Sequence, residues 1–577
     1  MAAAAGLASA MTMLLLAQLV APPLQQGPVR LPEHRPAEQR PVRSAPTAPQ
    51  PRLDVAPDTR PAQPDAGQLG PEPSAMPPAA LPTNHPVVEG LTIYKPDQLR
   101  AILARCSTVA DPEERLNACA AALSARFVAD GYINSRVFVD TTQLPARLLV
   151  VEGRLVELRV NGNDAWLNRR VARLMRSLQG QLLHLPSLER QLQLLRRVPG
   201  VKQVRGNLSR LGSDPTQASL TIALEGGAPR WQGDLSIRND GNSGSGEARA
   251  LASLLKPGAL TAGDTLLVYG ELNGETDPEL GLALSALTYR LPLGDAWSFT
   301  TAIGVSRRNL IELPAADLSN EQVQALGQLE WVFSESLSQR WSAFLGLSGT
   351  SSRNLVDGQS LPSSLPEILR TPRTGYLKLG LSGSGEGVGL AWGGSGYLMA
   401  AASGLLPSDQ RQEWRAAGLD PSQAGAVGGL LSVAWAFAPR WQLNGRLAGQ
   451  WAFNPLLPSM QFSLGSDVGL RGLPGQLVSG DSGWLAVTEL AWTMWQNRTH
   501  ALQLVPFIGA GGVRTEVNGS RFSETLGSGG LLLRWLAGDN WAFELGWAHQ
   551  FGSDNLNGPW NDWVLDDGLY AKIQFRF

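Results

Sequence analysis

At 577 residues the chain has room for several domains. Net charge is −2 and charged residues are 17% of the total, with 63 Gly and 18 Trp; soluble globular domains carry about 25% charged residues. No interior apolar run reaches the roughly 20 residues of a spanning helix, which excludes a helical membrane protein but not a membrane barrel, whose strands alternate apolar and polar side chains.

The N-terminus reads "MAAAAGLASAMTMLLLAQLVAPPLQQ". Small and apolar residues run from Ala2 to Ala21 and stop at Pro22 and Pro23. Residues 1–21 resemble a secretory signal peptide, although no Lys or Arg precedes the apolar run; the alternative is a short buried helix. Residues 22–85 are rich in Pro, Ala, Gln and Arg. Such a stretch cannot bury a core and is expected to be an extended, disordered linker.

Proline becomes rare from residue 86, and Leu, Val and Arg rise. "VVEGLTIYK" reads as a strand. "PDQLRAILARC" and "DPEERLNACAAALSARFVADG" read as helices with Pro in the first turn; the second has Asp111 at its N-cap and stops at Gly131. "INSRVFVD" and "ARLLVVEG" read as strands. The β-α-α-β-β order recurs in "LVELRVNG", "DAWLNRRVARLMRSL", "PSLERQLQLLRRV", "KQVRGNLSR" and "ASLTIALEGG". Two copies of one α+β unit, at 86–154 and 155–227, form an internal repeat. The two cysteines, Cys106 and Cys119, either form one disulfide closing a small loop or remain free buried thiols on neighbouring helices.

From residue 228 to Phe577 strict alternation replaces helical periodicity. In "WQLNGRLAGQWAF", Trp441, Leu443, Leu447, Trp451 and Phe453 share one face, with Gln442, Asn444, Arg446 and Gln450 on the other. In "WAFELGWAHQF", Trp541, Phe543, Leu545, Trp547 and Phe551 oppose Glu544 and Gln550. The terminal "LYAKIQFRF" places Leu569, Ala571, Ile573, Phe575 and Phe577 against Tyr570, Lys572, Gln574 and Arg576. One lipid-like and one wet face per strand, with Trp near strand ends, fits a membrane barrel. A soluble sandwich alternates too, but carries more charge outside, and roughly 350 residues is large for one. At about 22 residues per strand and connection, the region holds about 16 antiparallel strands. The predicted fold class is therefore a membrane all-β barrel preceded by two small α+β domains.

Two glycine-rich stretches imitate catalytic motifs. "GDSG" at Gly480–Gly483 resembles the nucleophile motif of chymotrypsin-like proteases, but Trp484 replaces that family's next glycine and no matching histidine segment is present. "GSGEGVGLAWGGSG" resembles a phosphate-binding loop, which needs a helix after it. Here Gly383, Gly385, Gly387 and Gly389 recur every second residue, which reads as one thin face of a barrel strand with room for something to pack inside. His34, His85, His184, His500 and His549 are scattered, and no zinc spacing occurs. No catalytic residue, metal or cofactor is therefore expected.

The stretch "GSDVGLRGLPG" is a turn carrying one cation, Arg471. Taken alone, it fits a solvated arginine at an extracellular turn. Its neighbours change that. "GLRGLPG" followed by "GDSGWLAVTEL" resembles the Val-Arg-Gly-aromatic signature and Gly-Asp-x-Gly segment of the outer-membrane transporters of two-partner secretion, the TpsB or hemolysin/adhesin secretion-activation family within the POTRA-barrel superfamily. "DGYINSRVFV", "VEGRLVELRVNG", "GSDPTQASLTIALE" and "WQGDLSIRNDGNSGSGEAR", then "AGDTL" and "LTYRLPLG", resemble that family's two POTRA domains and opening barrel strands. The likeness covers about residues 86–577.

The resemblance implies protein export and not enzymatic chemistry. POTRA domains in the periplasm capture an unfolded, TpsA-like exoprotein by β-augmentation, and the chain crosses a barrel in the bacterial outer membrane. The implied partners are that cargo, outer-membrane lipid and, during biogenesis, the barrel-assembly machinery, with no nucleic acid. A loop over about 454–483, carrying Gly469, Leu470, Arg471, Gly472, Leu473, Gly480, Asp481 and Gly483, is implied to fold inward. Gly131, Tyr132, Ser135 and Arg136 match a POTRA motif and read as structural. Two departures stand out: Leu473 replaces the signature aromatic, and Gly509 stands where the family supplies an aspartate for the signature arginine. Arg471 therefore needs another acid, with Glu489 and Asp481 as candidates. The alternative is a POTRA-barrel factor that inserts outer-membrane proteins; two POTRA units, where assembly factors have three or more, favour the transporter.

Overall fold

In this computed structural model the predicted repeat is present as two sheets of one topology. The structure describes Leu53–Val55 and residues 86–577, except 105, 143–144, 196–197, 199, 228–230, 242–244, 262, 275–279, 295, 311–317, 337, 474–477, 518–519, 539 and 552–567. The predicted signal peptide, and the linker apart from Leu53–Val55, lie outside the described residues.

The first repeat runs from strand Val87–Glu89 through helices Pro96–Leu103 and Pro112–Ala129 to strands Arg136–Asp140 and Arg147–Val151. The Asp111 carboxylate accepts from the Glu114 amide at 2.8 Å and caps the second helix. Gly131, with φ of +87°, ends the turn that follows. Apolar stripes of both helices, including Leu99, Leu103, Leu123 and Phe127, bury against Leu148 and Val150 of the central strand. The second repeat comprises Arg154–Gly162, helices Ala165–Met175 and Leu185–Leu195, and strands Val201–Arg210 and Gln217–Gly226. In each sheet the last strand is central, parallel to the first and antiparallel to the second.

The second strand of each repeat therefore faces outward along its edge. On Val201–Arg210 that edge is taken by Leu53–Val55, which pairs in parallel, Leu53 opposite Gly206 and Val55 opposite Leu208. These three residues of the predicted disordered linker form a strand, because an open edge offers N–H and C=O groups that an extended chain satisfies.

Cys106 and Cys119 form a disulfide, with Cα atoms 5.1 Å apart, which ties the turn after the first helix to the second. By the loop-entropy rule a link across 13 residues stabilises by roughly 3 kcal/mol. Cys119→Ala should lower the thermal midpoint of residues 47–228 within the intact protein by several degrees, read by circular dichroism. An unchanged midpoint would show the link to be energetically idle.

Residues 229–577 close a barrel of 16 antiparallel strands, from Gln232–Arg238 to Leu569–Arg576, with the last strand paired to the first. A closed sheet leaves no unpaired edge in lipid. No described helix is long and apolar enough to cross a membrane. The alternation resolves as expected: Leu447, Trp451, Leu545, Trp547 and Ile573 are exposed on the outside, while Gln442, Gln450, Glu544, Tyr570 and Gln574 are buried within. Tight turns such as Glu386–Leu390, Ala438–Trp441 and Gln496–His500 gather at one end, with stacked pairs Trp297–Trp331 and Trp441–Trp492 beside them. Long connections, 357–372, 402–424 and 453–481, lie at the other end and pack together through Ile368, Trp414, Leu456 and Met460.

The glycine stripe differs from expectation. Gly383 sits opposite Trp341 in the ladder, and a Cβ there would lie 2.6 Å from the Trp341 ring; one at Gly385 would lie 2.6 Å from the Trp392 indole nitrogen. Both tryptophans cover the outer surface, so the thin face is filled from outside the barrel and not from the lumen.

Candidate functional site: a loop anchored inside the barrel

The connection between strands Trp441–Ala452 and Ser482–Gln496 turns back into the barrel. Its two ends are pinned together. The Gln450 side-chain amide donates to the carbonyls of Met460 (2.9 Å) and Asp481 (3.0 Å). The buried Asp481 carboxylate accepts from the Leu456 amide (3.2 Å) and the Gln461 side chain (3.1 Å), and the Asp481 amide donates to Thr515 Oγ1 (3.0 Å). Ser482 Oγ accepts from the Ala452 amide. "GDSG" is thus the hinge of a loop, with its serine and aspartate engaged by backbone.

Beyond the hinge the loop is apolar. Leu464, Val468, Leu470 and Leu473 are buried against Leu485, Val487, Val513 and Leu526, inward-facing residues of the wall. Glycines on the wall make the room. A Cβ at Gly509 would lie 2.9 Å from Leu470 Cδ2, and one at Gly511 would lie 2.7 Å from Leu464 Cδ2. Gly472, at φ +77°, passes so close to Ala548 that a Cβ would collide with the alanine methyl.

Arg471 ends among charges. Its Nε donates to Glu489 Oε1, and its Nη1 donates to Glu544 Oε2 at 3.0 Å. The Arg471 guanidinium lies 5.9 Å from the Tyr570 ring centroid and 3.4 Å from its hydroxyl. Arg534 completes the group, 2.7 Å from Glu544 and 3.7 Å from Glu489. Two guanidiniums and two carboxylates, all largely shielded from solvent, leave the cluster with no net charge. That is the condition under which buried ions persist.

Of the two acids weighed for Arg471, the structure places Glu489 against it; Asp481 belongs to the hinge instead. Arg534, Glu544 and Tyr570 come from the three successive strands Ser520–Ala537, Trp541–Phe551 and Leu569–Arg576. Pattern reading placed Glu544 and Tyr570 on a wet face but gave no reason to single them out. Gly131, Tyr132 and Ser135 lie where the two repeats meet: the Tyr132 ring is 4.9 Å from His184, Gly131 packs on Pro186, and Ser135 Oγ accepts from the Gly153 amide at 3.0 Å. Arg136 donates to the carbonyls of Ile133 and Ser135.

Residues 218–531 match the haemolysin secretion/activation protein family ShlB/FhaC/HecB. The chain belongs to that family. Its members are outer-membrane transporters of two-partner secretion. Among curated proteins, the chain is similar to the outer membrane transporter CdiB of Dickeya dadantii, 23% identical over 411 residues, 68% of each chain. It is also similar to CdiB of Escherichia coli O6:K15:H31, 24% identical over 493 residues, 80% of this chain and 76% of that one. Among solved structures, CdiB from Escherichia coli superposes with a TM-score of 0.59 at 19% identity, covering 90% of this chain and 94% of that one. CdiB from Acinetobacter baumannii gives 0.53 at 16%, covering 92% and 95%. At such identities these two show the shared fold alone. The transporter reading is favoured over the assembly-factor alternative.

Proposed function

We propose that the chain secretes one unfolded exoprotein across the outer membrane, taking it up on residues 86–154 and 155–227 as two periplasmic POTRA domains and passing it through the barrel of 228–577. Residues 1–21 then serve as the export signal and 22–85 as a linker. The observation that best supports the uptake step is the edge of Val201–Arg210, which already accepts an extended segment in parallel pairing. Backbone pairing of this kind tolerates varied cargo sequence. The polarity of the barrel supports the placement. Gln232 and Arg576 lie at the tight-turn end, and barrels of this class keep short turns in the periplasm and long loops outside.

The inward loop of 454–483, held by Arg471 to Glu489 and Glu544, is the element proposed to set the state of the pore. Lipid surrounds the apolar belt, and the barrel-assembly machinery inserts the chain. The test is deletion of the gene, comparing secreted protein with outer-membrane protein content. Loss of one large secreted protein with other barrels unaffected is expected. General loss of barrel proteins with secretion intact would replace this reading with the assembly factor.

A further inference from the structure

The barrel closes on the two shortest of its 16 full strands. Gln232–Arg238 has 7 residues and Leu569–Arg576 has 8, against 18 for strands such as His500–Val517. Their ladder runs from Lys572 opposite Arg238 to Arg576 opposite Asp234, and backbone bonds continue it by one step at each end, between Gly233 and Phe577 (3.0 and 3.1 Å) and from the Asn239 amide to the Ala571 carbonyl (3.3 Å). Side chains extend it: Asn239 Nδ2 donates to the Leu569 carbonyl at 2.7 Å, and Asn239 Oδ1 accepts from the Ala571 amide at 2.9 Å. A seam this short is the weakest place in a closed sheet, since each backbone group it frees must go unpaired at the lipid boundary.

The inward loop touches both sides of that seam. On the closing side Arg471 holds Glu544 of Trp541–Phe551 and lies beside Tyr570 of Leu569–Arg576. Four residues earlier, in the short turn Ser466–Val468, Asp467 holds the opening side. Its carboxylate is ion-paired with Arg249 Nη1 of strand Ala248–Pro257 and lies 3.9 Å from Arg238 Nη2 of the first strand. Both arginines are held from behind. Arg249 Nε bonds Glu271 at 2.6 Å, Tyr269 donates to the same carboxylate at 2.7 Å, and Arg238 Nε lies 3.0 Å from Asp240. Ser466 adds a 3.4 Å bond to the Asp240 carbonyl.

We propose that Asp467 is a second anchor of the loop, and that with Arg471 it makes the loop a clasp across the seam, joining the first two barrel strands to the last two from the lumen side. Asp467 is a positioning residue: it acts by fixing Arg249 and Arg238. A loop held by Arg471 alone would rest on the closing strands and leave the seam to its short ladder. Pairing across the seam ties the loop's position to the seam's closure, so a cargo that moves the loop also loosens the seam.

The experiment uses the full-length transporter and no cargo, so a failure of the secretion reading leaves it standing. Asp467→Arg, which sets a cation against Arg249, is compared with the parent by ion conductance in planar bilayers and by the temperature at which the folded band unfolds in detergent gels. Losing a charged hydrogen bond at a buried site should raise the frequency of open events about tenfold and lower the unfolding temperature. Adding Arg249→Asp re-forms that pair in reverse but sets a carboxylate against Glu271, so both readings should recover in part. Oxidising an Ile237→Cys, Ile573→Cys pair, whose positions lie directly opposite across the seam, should return both readings to parent values in the Asp467→Arg background. Asp467→Asn, which keeps the shape, should fall between. Parent-like behaviour of Asp467→Arg at normal folded yield would overturn the anchor. Recovery by the charge swap but not by the bridged seam would overturn the clasp.

Discussion

Replacing Arg471 with alanine should cut secretion of the exoprotein by tenfold or more, while the barrel still inserts. The substitution removes one of two cations from a neutral group of four charges, leaving Glu489 and Glu544 to share Arg534. Breaking a buried pair in this way costs about 3–5 kcal/mol, because the remaining charges stay in a poorly solvated place. That cost falls on the loop and, through it, on the seam the loop spans; the ladders that build the rest of the barrel do not involve Arg471. Arg471→Lys should recover little, since an ammonium cannot present the guanidinium's planar fork to two carboxylates at once. Secreted protein and heat-modifiable barrel are measured on the same cells. Unchanged secretion at normal barrel level would remove the loop anchor from the mechanism.

The second large effect is expected at Gly509. The resemblance of the signature segments invites Gly509→Asp as a repair, supplying an acid where that resemblance implies one. In this molecule the site is already filled: a Cβ would sit 2.9 Å from Leu470 Cδ2 and 3.2 Å from Val487 Cγ2. The new carboxylate would face an apolar contact, and overpacking of this kind costs about 1–3 kcal/mol before any charge is counted. The loop should therefore lift from the wall, with secretion falling toward the Arg471→Ala level and a protease gaining access to the 464–473 segment. Gly509→Ala should show a weaker form of the same defect. If Gly509→Asp secretes normally, and does so even when Glu489→Gln is added, the carboxylate has taken over from Glu489 and the packing argument is wrong.

These two sites mark the limit of what could be read along the chain. The repeat was legible because each small unit must bury helix stripes on one face of a sheet, and periods of 3.6 and 2 show directly which residues do so. The barrel was legible because lipid demands an apolar side chain at every second position. Arg471 stood out because a lone cation in an apolar turn needs a partner, and Glu489 was a candidate because it follows the loop closely. Glu544 and Tyr570, 73 and 99 residues beyond Arg471, were not legible as its partners. Every lumen-facing polar residue satisfies the same alternation, and only the register of neighbouring strands decides which of them meet.

The glycine stripe makes the same point from the other face. Its period of two announced a strand with one thin side, yet nothing local says which side faces lipid. That depends on Gly383 standing opposite Trp341 and not one residue away, where the whole set would turn inward. Asp467 and Gly509 also read as turn and strand residues until the loop is seen to cross the seam and lay Leu470 on the wall. Composition and periodicity thus determined the domains, the membrane barrel and the inward face of each regular strand, because local backbone geometry and solvent set those. Ion pairing, the filling of the glycine gaps and the closure of the seam were decided by the tertiary structure, because they depend on the contact of segments that only closing the sheet brings together.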